Sequence, residues 1–280
     1  MRSVKMISTI GQVFSYEFMQ NALLAGVLVS IACGVIGTLV VINRIVGISG
    51  GIAHAAYGGV GIASYFGFDP VLGALAFSLV SSLAMGLTHR KLKDRSDTMI
   101  GVMWAVGMAI GIIFISLTPG YRANLMSYLF GSILAVSKTD IWWMVATAIG
   151  VILFVVLFYR MLLAISFDEE FATVRNLPVG TLFILMLLIT GLTVVVAMRV
   201  VGLILVIALL TIPAAIASMF FKDVRVIMLV AVGLGILLNF FGLLLSFQLN
   251  LQAGAVIILL AAAVYFGAFI LKMSLSKAKL

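Results

Sequence analysis

Residues 22–67 read ALLAGVLVSIACGVIGTLVVINRIVGISGGIAHAAYGGVGIASYFG: two long apolar runs hinged at Asn43-Arg44, with no acidic residue and a single histidine. A helix crossing a hydrocarbon layer of roughly 30 Å needs about 20 residues. Each run, Ala22 to Ile42 and Val46 to Gly67, has that length. Working outward, seven more apolar runs lie at Val71 to Leu87, Thr98 to Leu117, Ile141 to Tyr159, Gly180 to Met198, Val200 to Phe221, Val226 to Phe247 and Gly254 to Leu271. Composition agrees with this reading. Of 280 residues, 64% are apolar and only 9% charged, with a mean hydropathy of +1.33, whereas soluble domains carry roughly a quarter charged residues. The surplus apolar surface needs a lipid bilayer as its partner. The expected fold is therefore an all-α integral membrane bundle of about nine (eight to ten) transmembrane helices, with no room for a sizeable soluble domain. A cytosolic enzyme, a secreted module and a nucleic-acid reader are excluded.

In a soluble protein the net charge of +8 would suggest an acidic or nucleic-acid partner; here it reads as topology, because Lys and Arg collect in cytoplasmic loops. The basic connection His89-Arg90-Lys91-Leu92-Lys93-Asp94-Arg95 marks one side as cytoplasmic. Alternation then places Arg44, Arg160 to Leu177, Lys222 to Arg225 and a basic tail, 272–280, on that side, with most of the 17 Lys and Arg. The amino terminus falls outside. Residues 1–20 form a single amphipathic, interfacial segment by the spacing of Val4, Ile7, Ile10, Phe14 and Phe18; 22–271 form the bundle, and the whole chain is one membrane domain. Trp142 and Trp143 mark the outer end of the fifth span and Tyr159 with Arg160 its inner end. The longest outer connection, Thr118 to Asp140, holds a short apolar stretch, Leu125 to Leu134, that reads as a re-entrant or interfacial helix. A lone cysteine, Cys33, excludes an intramolecular disulfide or a thiolate cluster.

An ionisable group inside a membrane is a functional candidate by default, and within these boundaries there is one, His54. Ten residues beyond Arg44, at 1.5 Å per residue, it lies about 15 Å into the core. A neutral imidazole at that depth can ligate a divalent transition metal. Gly47, Gly50, Gly51, Gly58 and Gly61 lie at helical three- and four-residue steps from it. Such a face either lets another helix approach closely or lines a narrow path. From these residues alone His54 is either a ligand or a buried residue bonded to a neighbouring helix. His89 reads as a solvated loop residue, Asn239 as an interhelical hydrogen-bonding residue, and Pro213 as the site of a bend.

After the fifth span, Ser166-Phe167-Asp168-Glu169-Glu170-Phe171-Ala172-Thr173-Val174-Arg175-Asn176-Leu177 combines three acids with apolar residues at helical spacing. It reads as a short amphipathic helix and a docking knob, or equally as a solvated connector. No GxxxxGK[ST] loop, HExxH pair or Ser/Lys or Ser/His arrangement occurs in a span, so neither nucleotide binding nor intramembrane hydrolysis has candidate residues.

Three stretches together resemble the permeases of ATP-driven importers for zinc, manganese and iron, the divalent-metal branch of the ABC importer permeases with the type II architecture. They are Gly37 to Arg44 followed by the glycine-rich helix with His54, Asp97-Thr98-Met99-Ile100-Gly101, and Val201 to Ala215 (VGLILVIALLTIPAA). The resemblance covers nearly the whole chain, from about Phe18 to Lys272. It implies a subunit of the prokaryotic cytoplasmic membrane that is not itself an enzyme. Its partners would be cytoplasmic ATPase subunits, a second permease copy as homodimer or heterodimer, and an extracytoplasmic metal-binding protein. No cofactor would be held permanently; the divalent ion would be cargo. His54 would be its transient ligand, and Asp168, Glu169, Glu170, Phe171, Ala172 and Asn176 would belong to the segment that couples to the ATPase. Three positions depart from the family pattern: Gly50 stands where an aspartate is usual, one turn before the histidine, Gly58 where a proline follows it, and a third lies in the coupling segment. There Asn176 stands where such permeases generally have glycine. Alternatives of related architecture are a permease for a metal chelate or cobalamin-like ligand, and, from another class, a channel or secondary carrier needing no ATPase.

Overall fold

The computed structural model describes residues 16–91, 96–119, 131 and 133–277. Ten α-helices, and no strand, occur among the described residues. They are α1 Glu17–Ile42, α2 Val46–Phe66, α3 Pro70–Lys91, α4 Ser96–Leu117, α5 Lys138–Phe167, α6 Glu169–Val174, α7 Val179–Val201, α8 Leu203–Phe220, α9 Val224–Leu249 and α10 Ala253–Lys277. All but α6 are long. Eight of the nine long helices are apolar enough to cross a membrane by composition. The ninth is α2, which carries six glycines, two serines and the histidine. Its 21 residues still span about 31 Å at 1.5 Å each.

A span needs apolar side chains only where lipid touches it, and 14 of the 21 residues of α2 are buried. It lies between α3 and α4, and the glycines make this possible. A Cβ on Gly58 would stand 2.8 Å from the Gly107 carbonyl oxygen of α4, and one on Gly107 would stand 2.6 Å from Ala55 Cα. Gly61 and Gly111 oppose each other in the same way one turn further on, as do Gly59 and Gly73 on the α3 side. Removing the side chains brings the backbones into direct contact, which is the attraction open to helices in a solvent as apolar as themselves. Tyr57 is completely buried at this three-helix seam.

The remaining helices gather around α1. A Cβ on Gly34 of α1 would stand 2.8 Å from the Val232 backbone nitrogen of α9, and one on Gly37 would collide with the Leu210 carbonyl of α8. α10 packs on α8 and α9 at the periphery. Between the two halves α7 touches α1, α2, α3, α5 and α8, and it ends at Gly202, whose φ of +84° is a conformation L side chains rarely adopt. That break moves the start of the next helix to Leu203, three residues after the expected position.

Several boundaries differ from the sequence expectation. Glu17 to Gln20, assigned to the interfacial segment, form the first turn of α1; Met1 to Ser15 lie outside the described residues, as does the Leu125 to Leu134 stretch apart from Gly131 and the start of a 3-10 turn at Ile133–Ala135. α5 runs eight residues beyond Tyr159 because Arg160 is exposed and Met161 to Ile165 continue a helix-favouring apolar run. α10 likewise continues to Lys277, so the first residues of the expected tail are helical. α8 continues through Pro213 without interruption. His89 is not a loop residue: it sits in the last turn of α3 and stacks on Phe183 at 5.5 Å.

Glycines in direct backbone contact and glycines facing open space have opposite tolerances. Gly61→Ala should lower the thermal unfolding midpoint in detergent, at a cost of about 1–3 kcal/mol from overpacking. Gly50→Ala, whose Cβ would meet nothing within 4 Å, should stay within about 0.5 kcal/mol of the parent. Equal effects would contradict this division.

Candidate functional site

His54 lies near the middle of α2 and its ring is half-buried at the seam with α4. Trp104 and Met108, one helical turn apart on α4, meet it from two directions. The indole stacks on the imidazole face, with centroids 4.1 Å apart and planes inclined by 16°. The Met108 sulfur stands 3.1 Å from His54 Nδ1, at the ring edge. Trp104 is 40% exposed, and Val102, Val106, Ile112 and Ile113 on the same helix are more so. In a single chain the imidazole therefore sits near an uncovered apolar face rather than deep among the helices. An imidazole nitrogen beside a thioether sulfur forms a neutral N/S donor pair. Among the described residues no group of three or more His, Cys, Asp or Glu side chains gathers.

The five glycines at helical steps from His54 fall into two sets. Gly47 and Gly50 face open space, with nothing within 4 Å of a built Cβ. A Cβ on Gly51 would meet Ile100 and Met85 at 2.9 and 3.0 Å, and Gly58 and Gly61 are pressed against α4. Two of the three glycines before the histidine are open, and Gly51 with the two after it is helix contact.

At the end of the bundle that carries Arg44, Arg90 and Glu169, a cavity of about 390 Å³ separates α1, α3, α5 and α7. Beside it lies α6. Asp168 caps this helix, accepting a hydrogen bond from Phe171 N at 2.8 Å, and Glu169 and Glu170 occupy its first turn, where the helix dipole favours negative charge. Ala172 is buried against the bundle, while Phe171 and Val174 are 51% and 81% exposed. Asn176 follows at φ +55°, a left-handed conformation that asparagine and glycine reach at least cost. The same backbone need thus accounts for either residue there.

Three features had no distinguishing signal in the sequence. Asn43 Nδ2 donates to Ser166 Oγ at 2.9 Å, tying the end of α1 to the end of α5, two residues before the cap of α6; the partners are 123 positions apart. Asp140 closes a capping box with Ser137 and also pairs with Arg199 of α7 at 2.8 Å, at the end opposite α6. Met108, one of 15 methionines, gave no reason to be singled out from packing material. By contrast Asn239 has the expected role: its Nδ2 donates to Ser30 Oγ at 2.9 Å, joining α9 to α1.

Nine long helices in one body, a polar seam midway along α2 and a capped amphipathic helix at the end that carries Arg44 and Arg90 fit a membrane permease. The chain belongs to the ABC 3 transport family, whose model matches residues 15–272. An uncharacterized membrane protein of Synechocystis sp. is 55% identical over 94% of both chains. The manganese transport system membrane protein MntC of Listeria monocytogenes is 35% identical over 91% of both. Among solved structures, PsaBC from Streptococcus pneumoniae in complex with Fab superposes with a TM-score of 0.83 at 29% identity, covering 94% of this chain and 95% of that one. These likenesses extend over nearly the full length, so this is a multi-pass protein of the cytoplasmic membrane.

The Asn239–Ser30 bond yields a direct test of the α1–α9 contact. Asn239→Ala and Ser30→Ala should each destabilise the detergent-solubilised chain. Their double-mutant cycle should give a coupling energy of about 0.6–1.7 kcal/mol, the range found for interhelical bonds in membranes.

Proposed function

We propose that this chain is the permease subunit of an ATP-driven importer for a divalent metal ion, with ATP hydrolysed by separate cytoplasmic subunits. The observation that carries the reading is the half-buried His54 imidazole halfway along a span, beside the open positions Gly47 and Gly50. Family membership and a relative that is a manganese transport system protein support it.

In this reading the metal is cargo. His54 ligates it in passing, and the uncovered α4 face that borders the site is where a second permease copy completes the path. Sparse coordination suits transport, since an ion must leave as readily as it enters. An extracytoplasmic binding protein delivers the ion at the end opposite α6. On the cytoplasmic side Phe171 and Val174 enter a groove on the ATPase; burying each would contribute about 1.5–3 kcal/mol. Asp168 acts chiefly as the cap of α6. The Asn43–Ser166 bond then links the root of this knob to the α1–α2 turn, and so to the helix that bears His54. Of the glycine stripe, Gly47 and Gly50 line the path, while Gly51, Gly58 and Gly61 hold α2 in place.

Proteoliposomes containing the permease, its ATPase and its binding protein test this. His54→Ala should reduce uptake of the physiological metal by at least about tenfold with the unfolding midpoint preserved. Unchanged uptake of zinc, manganese and iron would remove the ligand role. Phe171→Ala combined with Val174→Ala should abolish co-purification of the ATPase while leaving the permease folded, because both side chains already face outward; retention of the ATPase would displace the docking site from α6.

A further inference from the structure

The donor set around His54 bears on which ion passes. Met108 Sδ lies 3.1 Å from His54 Nδ1, and Trp104, stacked on the ring face, fixes the ring plane so that its edge meets the sulfur. Two donors bound to one zinc-type ion at about 2.05 Å (nitrogen) and about 2.3 Å (sulfur) stand about 3.1 Å apart at a right angle and about 3.6 Å at the tetrahedral angle. The observed separation matches the right-angle value, and an opening of about 0.5 Å reaches the tetrahedral one. On the other side of the histidine, one turn earlier on α2, the open space at Gly50 offers no side chain at all. The immediate setting thus supplies a nitrogen and a sulfur but no carboxylate.

We propose that Met108 is a second metal-binding residue and that the His54/Met108 pair makes the path selective for a borderline-soft divalent ion, zinc being the probe, over manganese. The proposal rests on the reading of His54 as a ligand and adds the sulfur to it. Manganese is suited by carboxylate, carbonyl and water oxygens, whereas imidazole and sulfur donors suit zinc. A twofold-symmetric pair of copies would bring two imidazole nitrogens and two thioether sulfurs to one ion, the four-donor count that zinc favours. All four donors are neutral, so the complex keeps its full positive charge and holds the ion weakly enough to release it.

The test uses the complete reconstituted importer and compares initial uptake of Zn²⁺ and Mn²⁺ at equal free concentrations in the parent, Met108→Leu, Gly50→Asp and His54→Ala. Leucine conserves volume, and the unfolding midpoint of each variant is measured alongside. Met108→Leu should lower the zinc-to-manganese uptake ratio by about tenfold or more, mainly through loss of zinc. Gly50→Asp should shift the ratio toward manganese by restoring an oxygen donor. X-ray absorption at the zinc edge of the loaded permease should show a sulfur neighbour in the parent and in a Cys33→Ala variant, and none in Met108→Leu. If Met108→Leu leaves ratio and sulfur shell unchanged while His54→Ala stops uptake, the thioether is a packing group and the selectivity proposal falls, with the histidine reading intact. If His54→Ala transports normally, both fall.

Discussion

The approach of α2 to its two neighbours through glycine is the constraint on which the rest of the molecule depends. A helix carrying a histidine, two serines and six glycines would be poorly held by lipid, and lipid offers no hydrophobic drive for one helix to associate with another. Backbone contact between Gly58 and Gly107, Gly61 and Gly111, and Gly59 and Gly73 replaces that drive with close packing. It keeps the polar helix away from acyl chains. The nonpolar side chains of α3 and α4 lie on the outside of the chain in its place, and those helices are only 33% and 22% buried over their apolar windows.

Once α2 is held this way, position along it decides chemistry. Gly51, Gly58 and Gly61 are occupied by helix contact, and Gly47 and Gly50 on the same face are open. The change from open to packed falls between Gly50 and Gly51, about one turn before the histidine. α4 contributes to both: Gly107 and Gly111 press on α2, while Trp104 and Met108 surround the imidazole. The same interface that stabilises the fold therefore sets the ring plane and its neighbours.

The basic end has a different organisation, built from caps and hydrogen bonds. Asp168 terminates α5 and starts α6 in one residue. The Asn43–Ser166 bond joins that corner to the turn before α2, where Arg44 adopts a φ of +57°. A displacement of α6 would reach the His54 helix through one turn and one hydrogen bond, a short mechanical path from the knob to mid-membrane. Within the bundle the Asn239–Ser30 bond gives the Asn239 Nδ2 donor a partner that the apolar surroundings cannot, fixing α9 on α1.

Nine long helices and their order were legible in the sequence, because hydrocarbon thickness sets run length, a constraint that acts on residues close together along the chain. The ends of helices were less legible. An exposed Arg160 does not stop a helix, and Gly202 breaks one inside an apolar run. His54 and its glycine stripe were visible for the same local reason, a period of three to four residues on one helix. Which glycines are filled and which are open, and that Trp104 and Met108 stand against the imidazole, depend on how α4 crosses α2. That crossing is set by contacts between residues about 50 positions apart, and only the folded bundle specifies them.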